Sequence, residues 1–121
     1  PRDAVMKKLA MNHNVLLEID IQGGLQVKRS MPESVLIFLL PPSLKELRKR
    51  LSGRGTDAPE VVEERLSKAL NEIKLLGEYD YCVVNDNLDD AVMKTESIIR
   101  AEGLRVPDKI MPVVRKYEEE E

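Results

Sequence analysis

Three arginines near the middle of the chain have the spacing of an anion clamp. Arg50 ends a predicted helix, Arg54 stands between two glycines, and Arg65 lies two turns into the next predicted helix. Transfer of a phosphoryl group needs positive donors around the oxygens of the transferred group, and arginine supplies them in a planar fork. The glycines beside Arg54 permit a hinge, as in a lid that closes over a reacting site. On charge alone, a solvated basic face remains the alternative.

Two acids, Glu18 and Asp20, form a second candidate group near the end of an apolar run. On a strand, positions two apart share one face, so the two carboxylates would point the same way. Carboxylates at the end of a strand can hold hydrated Mg²⁺ or accept hydrogen bonds from a base or a ribose. An exposed strand end with ordinary acids is the alternative, although burying them idly would cost free energy.

Asn85 is the third candidate, because it directly follows the last predicted strand. Its amide could read a purine, or it could form an Asx turn that caps the last helix. The sequence by itself leaves both interpretations open.

The elements that must position these residues alternate between apolar strands and amphipathic helices. Strands are predicted at 15–20, 35–40 and 81–84, with helices between and after them. Runs that are apolar throughout are typical of strands buried on both faces, so we expect an α/β fold with a parallel sheet and flanking helices. Ligands bind beyond the carboxyl ends of such strands, where the candidate acids and Asn85 fall.

Two helix starts are predicted from capping patterns. Ser43 with Glu46 three residues later has the form of a capping box, and Asp57 with Glu60 has the same spacing. These two helices bracket the loop that contains Arg54 and so define the predicted lid, residues 50–66.

Bulk properties exclude several function classes. The chain has 121 residues, is 42% hydrophobic and 34% charged, and carries a net charge of −3. This acidic balance argues against nucleic acid or an acidic membrane surface as the partner. No apolar run is long enough to span a membrane, and the single cysteine, Cys82, is expected to be a buried thiol in a reducing cytosol. We therefore expect a cytoplasmic protein.

Five motifs together resemble guanylate kinase in order and spacing: Leu17–Gly23, Pro41–Ser43, Arg50–Asp57, Glu64–Leu66 and Val83–Asp86. The resemblance runs over residues 1–104 and leaves 105–121 as a charged tail that we expect to be loosely held. It implies part of a P-loop NTPase-like nucleoside monophosphate kinase core, and an enzyme that phosphorylates GMP with ATP and Mg²⁺ in purine metabolism.

The resemblance also implies residue roles. Arg50, Arg54 and Arg65 correspond to lid arginines that act in catalysis and bind the ATP phosphates, and Asn85 to the asparagine that lies against the adenine. Glu18 and Asp20 correspond to the acidic segment that contacts GMP. No residue is expected to hold the metal directly, although Asp20 could contact it through water.

Departures from the family pattern set limits on these expectations. The 121 residues contain no Gly-x-x-x-x-Gly-Lys sequence and no counterpart of the GMP-binding insertion, so we expect a C-terminal portion that is inactive on its own. An unpaired sheet edge is expected to favour self-association. The alternative function is a guanylate-kinase-like module that binds proteins without catalysis, although such modules usually lose the Gly-Arg-Gly loop and lid arginines retained here.

Overall fold

The computed structural model describes residues 2–11, 14–53, 55 and 57–120. It divides into two compact units, Pro1–Leu36 and Ile37–Glu121. The first unit contains helices α1 (Arg2–Ala10) and α2 (Ile21–Ser30). The second contains the remaining elements, which are strands β1 (Ile37–Leu40) and β2 (Tyr81–Val84), helices α3 (Leu44–Leu51), α4 (Pro59–Ile73), α5 (Leu88–Glu102) and α6 (Met111–Glu119), and a 3-10 helix at Lys74–Glu78.

The two strands of the second unit pair in parallel, as the sequence predicts. Ile37 lies opposite Tyr81 and Leu40 opposite Val84, and one further bond from Asn85 N to Leu40 O, at 2.7 Å, extends the ladder. Helix α3 packs against α4, and α5 packs against β2. The expected α/β class with a parallel sheet and flanking helices is confirmed for this unit.

Four elements of the second unit each contribute one or two buried apolar side chains to its core. Its buried side chains come from α3, α4, β2 and α5, and they are Leu47, Val62, Leu66, Val83 and Ala91. At the sheet edge the rings of Phe38 and Tyr79 meet edge to face, with centroids 5.1 Å apart. Few aromatic side chains are available, so branched aliphatic residues carry most of the burial.

The strand predicted at 15–20 is wrong: residues 14–20 form irregular backbone in the first unit. Leu16, Leu17 and Ile19 are all exposed, and Leu16 is 76% exposed. A strand gains its stability from a neighbouring strand that pairs its N–H and C=O groups and covers its side chains. The described residues of this unit offer no such partner, so the apolar run remains irregular and mostly exposed.

Asp20 ends this irregular segment by capping α2. Its Oδ1 accepts a hydrogen bond from Gly23 N at 2.7 Å, and its backbone is extended, as is usual for an N-cap residue. The prediction that Glu18 and Asp20 share one face of a strand therefore does not hold, because neither residue is in a strand.

Cys82 is exposed, which corrects the expected buried thiol. Successive residues of a strand point to opposite faces, and in β2 it is Val83 that enters the core. The cysteine next to it therefore lies on the face that the described elements leave open.

The predicted tail, residues 105–121, contains helix α6. The first residue of the tail is bound to the end of α5, because Arg105 Nε donates to Glu102 Oε2 at 2.6 Å. Hydrogen bonding to Glu102, and then to Tyr81, raises the pKa of the Arg105 guanidinium above its ordinary value. Val113 and Tyr117 of α6 are exposed, and the expectation that the tail is loosely held stays a prediction.

Candidate functional site

The loop between α3 and α4 joins the two helices that carry the candidate arginines. Ser43 caps α3 through a 3.0 Å bond from Glu46 N to its Oγ, which confirms Ser43 as the predicted N-cap, while the Glu46 carboxylate contacts Arg50. After α3 the chain turns through Gly53, with φ of +58°, and Gly55, with φ of +76°. Both values lie in the left-handed region, where a side chain would add strain. Arg54, between them, lies outside the described residues, so its predicted role stays a prediction.

Arg50 lies against the end of the neighbouring strand. Its Nη2 donates to the backbone oxygen of Asn85 at 2.8 Å, and its Nε contacts Glu46 Oε1 at 3.3 Å. The structure thus brings together two residues that the sequence assigns to the same site. Because Asn85 directly follows β2, the guanidinium of Arg50 is placed at the carboxyl end of the sheet.

Arg65 is held on the other side of the loop. Its Nη1 donates to Asp57 Oδ2 at 2.8 Å and to the backbone oxygen of Leu51 at 3.2 Å. The Leu51 oxygen is one of the carbonyls that the last turn of a helix leaves without an intrahelical donor. Arg65 therefore ties α4 to the end of α3 while 48% of its side chain stays exposed.

A second contact between the same helices involves a neighbouring arginine. Arg48 Nη1 contacts Glu63 Oε1 in an exposed ion pair. Both side chains are exposed, so Arg48 belongs to a solvated face between the two helices. Such exposed pairs contribute little to stability, typically below about 1 kcal/mol.

Asp57 is the residue that sequence reasoning placed wrongly. It was predicted to cap α4, but the N-cap is Ala58, without a side-chain hydrogen bond, and Pro59 opens the helix. Proline is favoured at the first helical position, so Pro59 makes Ala58 the N-cap and leaves Asp57 one residue before it. Asp57 pairs with Arg65 instead, and its carboxylate also lies 4.0 Å from where a Cβ on Gly53 would stand.

Asn85 contributes backbone groups to the site, through its N–H and its oxygen. The Asx cap of α5 belongs to Asn87, whose Oδ1 accepts from Asp90 N at 3.1 Å. The capping interpretation of Asn85 is therefore wrong. The pattern Asn-x-x-Asp at 87–90 could have identified the true cap from sequence.

A metal site requires several oxygen, nitrogen or sulfur donors close together. Among the described ranges, no group of three or more His, Cys, Asp or Glu side chains could hold an ion. Asp20, the one residue considered for a contact through water, uses Oδ1 as the cap of α2. These residues do not form a metal centre by themselves.

In the described part of the chain, no helix is both long and apolar enough to cross a membrane.

Comparison with known proteins extends over most of the chain. A family model described as guanylate kinase matches residues 2–102. The guanylate kinase of Listeria monocytogenes serotype 4b is 48% identical over 105 residues, which is 87% of this chain and 51% of the relative. That of Lactococcus lactis subsp. lactis is 51% identical over 106 residues, or 88% of this chain and 52% of the relative.

A third relative also aligns with the tail. The guanylate kinase of Clostridium perfringens is 45% identical over 121 residues, which is 100% of this chain and 56% of the relative. The chain thus spans about half the length of the curated relatives it matches.

Proposed function

Because the chain belongs to the guanylate kinase family, we propose that it serves in transfer of the γ-phosphoryl group of ATP to GMP. In this reaction a phosphate oxygen of GMP attacks the γ-phosphorus, the bond to the β,γ-bridging oxygen breaks, and ADP and GDP are formed. The observation that carries the proposal is the bond from Arg50 Nη2 to the oxygen of Asn85. This bond holds the Arg50 guanidinium at the carboxyl end of the sheet, where α/β folds bind ligands, while Nη1 has no partner among the described residues.

The proposed role of Arg50, Arg54 and Arg65 is to bind the ATP phosphates and to neutralise charge on the transferring group. Arg50 and Arg65 are both exposed enough to reach a ligand, and both are restrained by contacts to their own chain. Restrained donors lose less conformational entropy when they bind an anion, and therefore stabilise it more. The glycines beside Arg54 have the backbone freedom that a closing loop needs.

Asn85 is proposed to lie against the adenine of ATP, and Glu18 and Asp20 to contact GMP. Glu18 and Asp20 are exposed in the first unit. Mg²⁺ would enter with ATP and would supply positive charge that offsets the charge of the phosphates. The described residues do not build a metal site, so no step of the reaction is assigned to one.

The alternative, a non-catalytic module of the guanylate-kinase type that binds proteins, has less support. Such modules usually lose the lid arginines, whereas this chain carries Arg50, Arg54 and Arg65. Arg50 and Arg65 are also held by hydrogen bonds, to Asn85 O and to Asp57 Oδ2 respectively.

ATP binding by the chain provides the first test. We expect isothermal titration calorimetry to detect Mg·ATP binding that weakens by about 10-fold or more in Arg65→Ala, because hydrogen bonds to a charged group contribute about 1.5–3 kcal/mol each. Arg115→Ala is the matched control, since it removes the same charge from an exposed position on α6. Equal binding by the two variants would contradict the proposed clamp.

A graft tests the chemistry. The stretch of the Listeria enzyme that matches this chain over 105 residues is replaced by the residues of this chain. We expect GMP-dependent ADP production by the graft and its loss when Arg50 or Arg65 is changed to Ala. The chain alone, which has no Gly-x-x-x-x-Gly-Lys sequence, is expected to show no useful kinase activity. An inactive but folded graft would count against the proposed reaction.

A further inference from the structure

Asp57 lies where the lid loop meets α4, and its carboxylate serves Arg65 rather than a helix end. The side chain of Asp57 is 34% exposed, and its Oδ2 accepts from Arg65 Nη1 at 2.8 Å. The backbone oxygen of Leu51 accepts from the same Nη1 at 3.2 Å. Two acceptors from different parts of the chain therefore hold one nitrogen of the guanidinium.

The remaining donors of Arg65, Nε and Nη2, form one edge of the guanidinium. Among the described residues, no hydrogen bond partner contacts its Nε or Nη2. These two nitrogens donate in parallel, which matches two oxygens of one phosphate group. The contacts at Nη1 thus restrain the guanidinium while leaving its two-donor edge available to an anion.

Arg50 shows the opposite use of its guanidinium. Its Nε contacts Glu46 and its Nη2 donates to the oxygen of Asn85, so both nitrogens of the two-donor edge are engaged by the chain. An acid that merely competed with the ligand would be expected to take this edge, as Glu46 takes part of it in Arg50. Asp57 does not occupy that edge of Arg65.

We propose that Asp57 is a positioning residue that orients Arg65, so that the Nε and Nη2 edge meets a polyphosphate anion. This inference rests on the proposed function, because ATP supplies such an anion. Asp57 does not touch the ligand and acts only through the orientation of Arg65. A pre-oriented donor loses less side-chain entropy on binding, which for one long side chain corresponds to about a 3- to 10-fold difference in affinity.

The test measures binding of inorganic tripolyphosphate and of Mg·ATP to the 121-residue chain. We expect Asp57→Asn to bind both probes about 3- to 10-fold more weakly than Glu60→Gln. Glu60→Gln is the matched control, because it removes the same charge from the first turn of α4. Asp57→Glu, which keeps a carboxylate, should recover part of the loss. Circular dichroism must show equal folding of the variants.

The outcomes separate this inference from the proposed function. If Asp57→Asn binds tripolyphosphate as well as Glu60→Gln or better, Asp57 is at most a competitor and the inference is overturned. If tripolyphosphate binds with the expected pattern while Mg·ATP does not, the inference holds and the assignment of ATP fails. If the unaltered chain binds neither probe, both are overturned.

A second readout does not depend on any ligand. In ¹⁵N NMR of the free chain, rotation about the Nε–Cζ bond of Arg65 should be slow, and Asp57→Asn should make it faster, while Glu60→Gln should leave it unchanged. Arg115, which is exposed on α6, provides the internal reference for free rotation. The Arg65 signal is assigned by its loss in Arg65→Lys. Rotation of Arg65 as fast as that of Arg115 in the unaltered chain would overturn the inference.

Discussion

The two compact units, Pro1–Leu36 and Ile37–Glu121, treat similar apolar segments in different ways. Residues 37–40 form β1 because β2 pairs with them, whereas the apolar run at 14–20 stays irregular. Of the buried apolar side chains among the described residues, Leu36 alone belongs to the first unit. An apolar run therefore becomes a strand only where a neighbouring strand forms hydrogen bonds with its backbone N–H and C=O groups.

Large-to-small substitution gives the largest expected contrast between the units. Leu66 is 4% exposed in α4 and Leu16 is 76% exposed. We expect Leu66→Ala to lower the free energy of unfolding by about 3 kcal/mol, because it removes buried area and leaves a cavity. Leu16→Ala should change it by less than about 0.5 kcal/mol. Urea unfolding followed by circular dichroism measures both, and equal effects would break the comparison.

Helix capping gives a smaller contrast. Ser43 caps α3 of the second unit, and Asp20 caps α2 of the first. Ser43→Ala should lower the free energy of unfolding by about 1 kcal/mol, because the cap of a helix that contributes to the core is lost. Asp20→Ala should reduce the helical signal of α2 without moving the main urea midpoint.

The control for the capping experiment is Ser97→Ala, whose hydroxyl donates to Met93 O within a helix and caps nothing. It should stay within about 0.5 kcal/mol of the unaltered chain. A shift of the main midpoint in Asp20→Ala as large as that in Ser43→Ala would show that the units unfold together.

Self-association is the smallest expected effect and concerns the exposed run of the first unit. We expect sedimentation velocity to reveal concentration-dependent association of the chain, reduced about two- to five-fold in Leu17→Lys, because a charge on an exposed apolar strand former opposes strand pairing. Leu104→Lys is the control, since Leu104 is exposed outside any strand. A monodisperse monomer that melts cooperatively would contradict the prediction.

Local signals predicted the second unit well. The Ser43 cap was predictable because it depends only on residues adjacent in sequence, and the strand at 81–84 was predicted correctly because its apolar run has β1 as a partner. The pairing of Asp57 with Arg65 was not, because Pro59 makes Ala58 the N-cap and the Asp57 carboxylate, outside the helix, pairs with Arg65 instead. The exposure of Cys82 depends on which face of the sheet is covered, and this is set by packing across the chain.

Of the candidate site, the sequence predicts the residues better than their arrangement. A general rule about the ends of parallel strands predicted the place of Asn85, and the resemblance assigned Arg50 to the same site, but their contact through the Asn85 backbone oxygen was not predicted. Which nitrogen of Arg50 or Arg65 is engaged follows from side-chain geometry that no spacing rule contains. The roles assigned to Glu18 and Asp20 depended on a strand that is not formed, and they remain predictions.

The two left-handed glycines of the loop between α3 and α4 have a consequence for sequence variation. Gly53 and Gly55 have positive φ. Gly77 does not have a positive φ, and a Cβ added to it would meet no atom within 4 Å. In a library of single substitutions, Gly77 should accept alanine freely, while Gly53 and Gly55 should each lose about 1 kcal/mol to alanine and more to branched residues. Substitutions that change polarity or charge should therefore be tolerated better at the other positions of the loop than at Gly53 and Gly55.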